Sequence, residues 1–288
     1  MLQLINVSKS FGNTPVLKNI NWEVEPNKIY GLVGKNGVGK STLLRCIADV
    51  YPVDTGQVLY NNINAADNPN VKRKVVFVAD EPFELNQSSL KQLIEFYEIF
   101  YPQFNHSKYS ELISLFDFNE NQSIENMSKG QKRQSSMIIA LSLNPELLLL
   151  DESFDGLDPI VRNRFINYLK EQENLTIIIS SHNVNDLDTL CDEILIIEEN
   201  ALISKESLIR EEGLIKVQVA FTYDITNQMD FLQPLSHKVE GRVHTLIVRQ
   251  SLDQLKQELQ LLHPVLVYPM ELSLNELFVL KLKEKEDE

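Results

Sequence analysis

Gly34-Lys35-Asn36-Gly37-Val38-Gly39-Lys40-Ser41-Thr42 is the densest concentration of chemistry in this 288-residue chain. A polyphosphate is held by consecutive backbone N–H groups aimed into one concavity, and three glycines let the chain curl that tightly. Lys40 is spaced to neutralise the outer phosphates and the Ser41 hydroxyl to ligand Mg²⁺. The Lys35 side chain reads as a solvated loop charge. A second run, Leu147 to Leu150 followed by Asp151 and Glu152, reads as a buried strand that delivers two carboxylates to a sheet edge. There Asp151 is expected to hold Mg²⁺ through water, and Glu152 to orient and deprotonate an attacking water. Taken alone, the first run is a glycine-rich turn with a lysine and the second a strand ending in solvated acids; their coexistence makes the chemical reading the stronger one.

Two further segments qualify only in company. His182 follows the apolar run Thr176 to Ile179 and so falls at the same kind of edge, although a lone histidine there is commonly structural, as His106, His237, His244 and His263 are taken to be. Met127 to Arg133 (MSKGQKR) opens a helix that Ser128 can cap, with Gly130 leaving room for close approach and the helix N-terminus offering an anion site. A capped surface helix is the competing reading.

These residues need elements to hold them. Ile29 to Val33 is a strand-like run before the glycine loop, and Leu43 to Ala48 is helical after it. Upstream, Leu2 to Val7 and Ile20 to Val24 read as strands, with Gly12, Asn13 and Pro15 marking a turn. Gln57 to Tyr60 and Val75 to Val78 are short strands. Ser89 to Gln92 fits a capping box for a helix carrying Leu90, Leu93, Ile94 and Tyr97 on one face, and a second helix is expected from Lys108 with Tyr109, Leu112, Ile113 and Phe116. Residues 83 to about 143 thus form a helical insert. Leu147 to Leu150 and Thr176 to Ile179 have the uniform apolarity of parallel strands covered on both faces, and they enclose a helix around Val161 to Lys170.

Composition sets the frame. Net charge is −14, from 27 basic and 41 acidic residues, so no chain-wide positive field exists to attract a nucleic-acid backbone, and nucleic acid is not expected as a partner. Hydrophobic residues make up 43%, ample for a core. No apolar stretch approaches a membrane span of about 18 residues, and the amino terminus lacks the order of a signal peptide, which predicts a cytosolic chain. Cys46 and Cys191 read as reduced core thiols.

In their order these motifs resemble the nucleotide-binding subunits of ATP-binding cassette (ABC) transporters over residues 1 to about 205. The resemblance implies an α/β fold of the P-loop NTPase class: a RecA-like core with an antiparallel β subdomain and a helical subdomain at about 83–143. By the same resemblance Phe11 stacks on adenine, Gly34 to Thr42 is Walker A, Met127 to Gln131 is the signature motif, and Asp151 and Glu152 end Walker B. Asp158 belongs to the D-loop and His182 is the switch histidine. The implied cofactors are ATP and Mg²⁺. Nucleotide contacts are then Phe11, Gly34, Lys35, Asn36, Gly37, Val38, Gly39, Lys40, Ser41, Thr42, Ser128, Lys129, Gly130, Gln131 and Asp158; Glu152, His182 and Asp80 are catalytic, and Ser41, Asp151 and Asp80 hold the metal. The resemblance also implies head-to-tail pairing, each Ser128 and Gly130 facing the other copy's Lys40, as a homodimer or with a related ATPase.

The chain departs from the family at two places. Asp80 stands where a glutamine is usual, and Asp155 where a small hydroxyl is usual, each adding negative charge near the triphosphate. A carboxylate at 80 can still ligand a hard cation. With it the isolated subunit is expected to turn over slowly and to be stimulated by its membrane partner.

From about residue 206 the chain carries no chemical motif. Ile215 to Phe221, Thr245 to Val248 and Val265 to Tyr268 read as strands, a helix precedes the last of them, and Ser273 to Glu276 fits a capping box for a final helix. This second domain, 206–288, resembles the small α+β extension of bacterial exporter ATPases whose type two permease is a separate polypeptide. The KGQKR variant and Tyr101 to Asn105 are similar to the subgroup exporting amphipathic or antimicrobial peptides, phenol-soluble modulins among them. A subunit of this kind would sit on the inner face of the cell membrane through its permease. Two other readings stay open: a non-transport cassette ATPase of DNA repair or the ribosome, and a weakly hydrolysing, nucleotide-sensing subunit.

Overall fold

In the computed structural model, residues 2–66, 68–81, 89–223, 225 and 229–287 are described. Two compact units divide them, Met1–Ile203 and Ser204–Glu288. In the first, β1 (Leu2–Phe11) and β2 (Thr14–Val24) form a hairpin longer than the sequence suggests. Pro15 lies inside β2, opposite Ser10, rather than in the turn. It is tolerated there because β2 is an edge strand, which leaves one side free of ladder bonds.

The chain continues through β3 (Ile29–Val33) and α1 (Lys40–Ile47), then β4 (Thr55–Tyr60) and β5 (Ile63–Asn64), which complete an antiparallel sheet of order β2-β1-β4-β5. A short α2 (Pro69–Lys72) precedes β6 (Val75–Val78). Three helices come next: α3 (Leu90–Phe100), α4 (His106–Phe116) and α5 (Lys129–Ser142). The start of the expected helical insert, up to residue 88, lies outside the described residues. Ser89 does cap α3, its hydroxyl accepting the Gln92 N–H at 3.3 Å while the Gln92 side chain accepts the Ser89 N–H at 2.9 Å. The next helix begins two residues before the expected Lys108, because the Asn105 side chain accepts the Lys108 N–H at 2.9 Å and so fixes the N-cap.

The rest of the unit alternates: β7 (Leu147–Asp151), α6 (Pro159–Lys170), β8 (Thr176–Ser180), α7 (Val184–Leu190), β9 (Glu193–Glu198) and β10 (Ala201–Ser204). Its six-stranded sheet has the order β10-β9-β3-β8-β7-β6, with β9, β3, β8, β7 and β6 parallel neighbours. Every residue of β3, β7 and β8 is buried, as the uniform apolarity of the last two requires. Each fully buried Leu or Ile contributes about 1.5–3 kcal/mol, so the carboxyl ends of these strands are rigidly held. This is the α/β arrangement that the resemblance implies, a largely parallel sheet with an antiparallel β subdomain and a helical subdomain. Both cysteines are free, and burial pushes the Cys46 thiol up to about 11.

The second unit comprises α8 (Lys205–Glu211), β11 (Leu214–Ala220), β12 (Ser236–Glu240), β13 (Val243–Arg249), α9 (Leu252–Leu259), β14 (Leu266–Met270) and α10 (Leu274–Asp287). Its antiparallel sheet runs β12-β13-β11-β14 around a core of its own that includes Val217, Val219, Leu246, Val248 and Leu255. The edge strand β12 is polar and half-exposed, so no apolar alternation announces it. Ser273 caps the last helix, accepting the Glu276 N–H at 3.2 Å. Among the described residues no helix is long and apolar enough to cross a membrane.

Candidate functional site

Strands β3, β8, β7 and β6 lie side by side, and four segments converge beyond their carboxyl ends: the glycine loop after β3, His182 after β8, Glu152 after β7 and Asp80 after β6. Gly34 (φ +152°) and Gly39 (φ +119°) are demanded by crowding. A Cβ at Gly34 would lie 2.7 Å from the Ile197 carbonyl oxygen, and one at Gly39 2.9 Å from Val16. Gly39 N-caps α1 with no side-chain cap, so the first amides of α1 are left for an anion. Lys40 is 6% exposed; its ammonium donates to the Gly34 carbonyl at 2.9 Å and the Lys35 carbonyl at 3.4 Å, and lies 3.7 Å from Glu152 Oε1.

Asp151 is fully buried. Its Oδ1 accepts hydrogen bonds from Ser41 Oγ at 2.9 Å and Ser180 Oγ at 2.7 Å, whereas Oδ2 is buried with no hydrogen-bond partner among the described residues. A buried carboxylate oxygen left unpaired is costly. The local donors are a hydroxyl and a carboxylate, the hard oxygen set that Mg²⁺ selects, so these residues fit that ion.

Glu152 holds φ at +48°, the left-handed region that costs a non-glycine residue about 1–2 kcal/mol. Its N–H donates to Ser180 O and Oγ, each at 3.1 Å, and its carbonyl accepts from Arg133 Nη1. The carboxylate Oε2 accepts the His182 backbone N–H at 3.1 Å and lies 3.0 Å from His182 Nδ1, while Asp155 Oδ2 is 3.2 Å from the same nitrogen. A ring nitrogen between two carboxylates carries the hydrogen, since a bare lone pair there would meet two anions. The cleft these groups enclose has a volume of about 410 Å³ and is lined by Asn36, Gly37, Gly39, Lys40, Ser41, Thr42, Asp80, Glu152, Asp155 and His182.

Other expected residues fall elsewhere. Phe11 ends β1, is 47% exposed and meets Tyr51 edge-on at 5.5 Å; it does not line the cleft. Nor do Ser128, Lys129, Gly130 and Gln131, which open α5. Ser128 and Gln131 form a reciprocal capping box, with bonds of 3.2 and 2.9 Å. Gly130 packs against the loop after β7, where a Cβ would sit 2.9 Å from the Gly156 carbonyl oxygen. Asp158 caps α6, accepting the Ile160 N–H at 2.8 Å.

Asp80 lines the cleft as expected of a residue beside the triphosphate, and its Oδ1 accepts from Arg133 Nη2, so the negative charge it brings there has a guanidinium partner. Asp155 Oδ2 meets the same His182 ring nitrogen as Glu152 does. The sequence pattern does not single out Arg133, Ser180 or Tyr51. Arg133 stands in the same run as Ser128, and a cation entering a largely buried helix is the signal that marks it.

The ABC transporter family model matches residues 17–155, from β2 through Asp155. The chain is 28% identical over 286 residues to the ABC transporter ATP-binding protein YtrB of Bacillus subtilis (strain 168), covering 98% of each. It is 30% identical over 215 residues to the methionine import ATP-binding protein MetN of Clostridium acetobutylicum, covering 70% of this chain and 67% of that protein. Its fold is similar to a dimeric, post-hydrolysis ATP-binding cassette bound to ADP and Pi, with a TM-score of 0.64 at 22% identity over 70% of this chain and 96% of that one.

Proposed function

This chain belongs to the ABC transporter family, and on that footing we propose that it is the ATPase subunit of an exporter whose permease is a separate polypeptide. As a member of that family it binds ATP with Mg²⁺ and hydrolyses the nucleotide. The assignment of roles rests on one observation, the convergence of Lys40, Ser41, Asp151, Glu152 and His182 at adjacent strand ends.

The backbone N–H groups of residues 34–42 and the Lys40 ammonium hold the β- and γ-phosphates. Ser41 Oγ and Asp151 hold Mg²⁺, which when bound neutralises phosphate charge as a Lewis acid. Glu152 takes a proton from the water whose oxygen attacks the γ-phosphorus; the bond to the bridging oxygen breaks and ADP leaves with that electron pair. His182, steadied by Asp155, fixes the Glu152 carboxylate through its backbone N–H and Nδ1. Phe11 takes the adenine ring on its exposed face.

Ser128, Lys129, Gly130 and Gln131 lie apart from the cleft of their own chain, which supports their service to a second copy in a head-to-tail pair, or to a related ATPase. The dimeric state of the similar cassette is in keeping with this. Between α3, α5 and β6 runs a groove of about 660 Å³ with Phe77, Leu93, Tyr97, Tyr101 and Ile139 in its lining. It suits an amphipathic helix of the permease, through which the subunit sits at the inner face of the membrane.

Export of amphipathic or antimicrobial peptides, phenol-soluble modulins as the specific case, rests on the resemblance of the KGQKR and Tyr101 to Asn105 segments and of the second unit. Co-purification with a permease, followed by reconstitution with the ATPase facing the outside of the vesicle, tests it. ATP-dependent accumulation of labelled peptide in the lumen is the expected result. Depletion of a preloaded lumen would make the complex an importer, and no complex at all would remove the permease from the account.

A further inference from the structure

We propose that Arg133 is a positioning residue for hydrolysis, binding the loop after β6 to the backbone of Glu152; the inference rests on the ATPase reading above. Arg133 lies in α5 and is 4% exposed. One guanidinium nitrogen, Nη2, donates to Asp80 Oδ1 and the other, Nη1, to the Glu152 carbonyl, while Nε is buried with no hydrogen-bond partner among the described residues. A buried cation is tolerated only when it is paired, so this guanidinium is committed to the two acceptors it has among the described residues. Three separate segments therefore meet on one planar fork: α5, the loop after β6 and the loop after β7.

This fork bears on the reaction in two ways. Glu152 holds its left-handed backbone because Ser180 takes its N–H and Arg133 its carbonyl. Without the second bond the peptide is released to relax toward the common regions of backbone space, and the carboxylate leaves its contacts with His182 and Lys40. Asp80, half-exposed at the mouth of the cleft, is held in place by the same group, and its charge is offset there. A lysine cannot reproduce this. Its single ammonium lacks the two coplanar, spaced donors that reach a carboxylate and a carbonyl at once.

The full-length chain carrying Arg133→Lys, Arg133→Gln, Asp80→Asn, or Asp80→Asn with Arg133→Gln tests the proposal. The measurements are kcat and KM for MgATP and the melting temperature. Both Arg133 variants should lose at least about tenfold in kcat while KM stays within about threefold, since the phosphate-holding groups are untouched. Asp80→Asn should lose less, because the bond to Glu152 survives it. The double variant should be no slower than Arg133→Gln alone, because residues acting through one contact do not add. Arg133 variants that fold and keep kcat within about twofold of wild type would overturn the proposal, as would effects that multiply in the double variant. Should the Arg133 variants not fold, Asp80→Asn decides alone, its half-exposed side chain making folding safe: an unchanged kcat rejects the clamp. Wild-type turnover and its loss in Glu152→Gln, with Arg133 intact, judge the ATPase reading separately.

Discussion

Replacing Glu152 by glutamine separates what its carboxylate does as a base from what it does as a shape. Glutamine is nearly isosteric, and its side-chain oxygen can still accept the His182 backbone N–H now 3.1 Å from Oε2. What disappears is proton acceptance, which contributes about 10²–10⁴ in rate, or about 3–5 kcal/mol of barrier. Nucleotide affinity should move the other way. Glu152 Oε1 lies 3.7 Å from the Lys40 ammonium, an attraction whose upper bound at an effective dielectric of 20 is about 4.5 kcal/mol. Neutralising the carboxylate frees that ammonium for the phosphates, so MgATP should bind as tightly as in wild type or more so. Phosphate release gives kcat, calorimetry gives the affinity, and size-exclusion chromatography with ATP and Mg²⁺ should show the variant accumulating as closed pairs. A kcat within about threefold of wild type would remove Glu152 as the base. A tenfold loss of affinity would instead make its role structural.

Other perturbations discriminate between parts of the site. Lys40→Ala removes charge-assisted hydrogen bonds worth about 1.5–3 kcal/mol, and MgATP affinity measured by calorimetry should fall by about 10- to 150-fold; an unchanged affinity would mean the loop register is wrong. Gly130→Ala places a methyl group 2.9 Å from the Gly156 carbonyl oxygen, and overpacking of that kind costs about 1–3 kcal/mol, so the melting temperature should drop by several degrees. A variant as stable as wild type would show that the loop gives way freely. Phe11→Ala should weaken ATP binding by about 2- to 10-fold, the range of one aromatic stacking contact, with little change in melting temperature because the ring is half-exposed; equal affinity in the variant would take Phe11 out of the adenine site.

How far this chain can be read without its fold depends on how local each feature is. The glycine loop lies on consecutive residues, and its chemistry comes from backbone freedom and spacing that the sequence displays directly. The parallel core strands are equally legible, since burial on both faces forces apolarity at every position of Leu147 to Leu150. Local readings fail where a local pattern is weak or outvoted: Pro15 sits within a strand because β2 is at an edge, and β12 is half-exposed and so needs no apolar rhythm. The pairings within the cleft are a different case. Asp80 and Arg133 are 53 residues apart, and Glu152 and His182 are 30. Sequence alone leaves Asp80 and Asp155 as added negative charges beside a triphosphate. The fold gives the first to Arg133 and places the second beside His182. No spacing rule encodes such partnerships, because they are set by which strand ends the sheet order brings together and by which cation a burying helix carries to them.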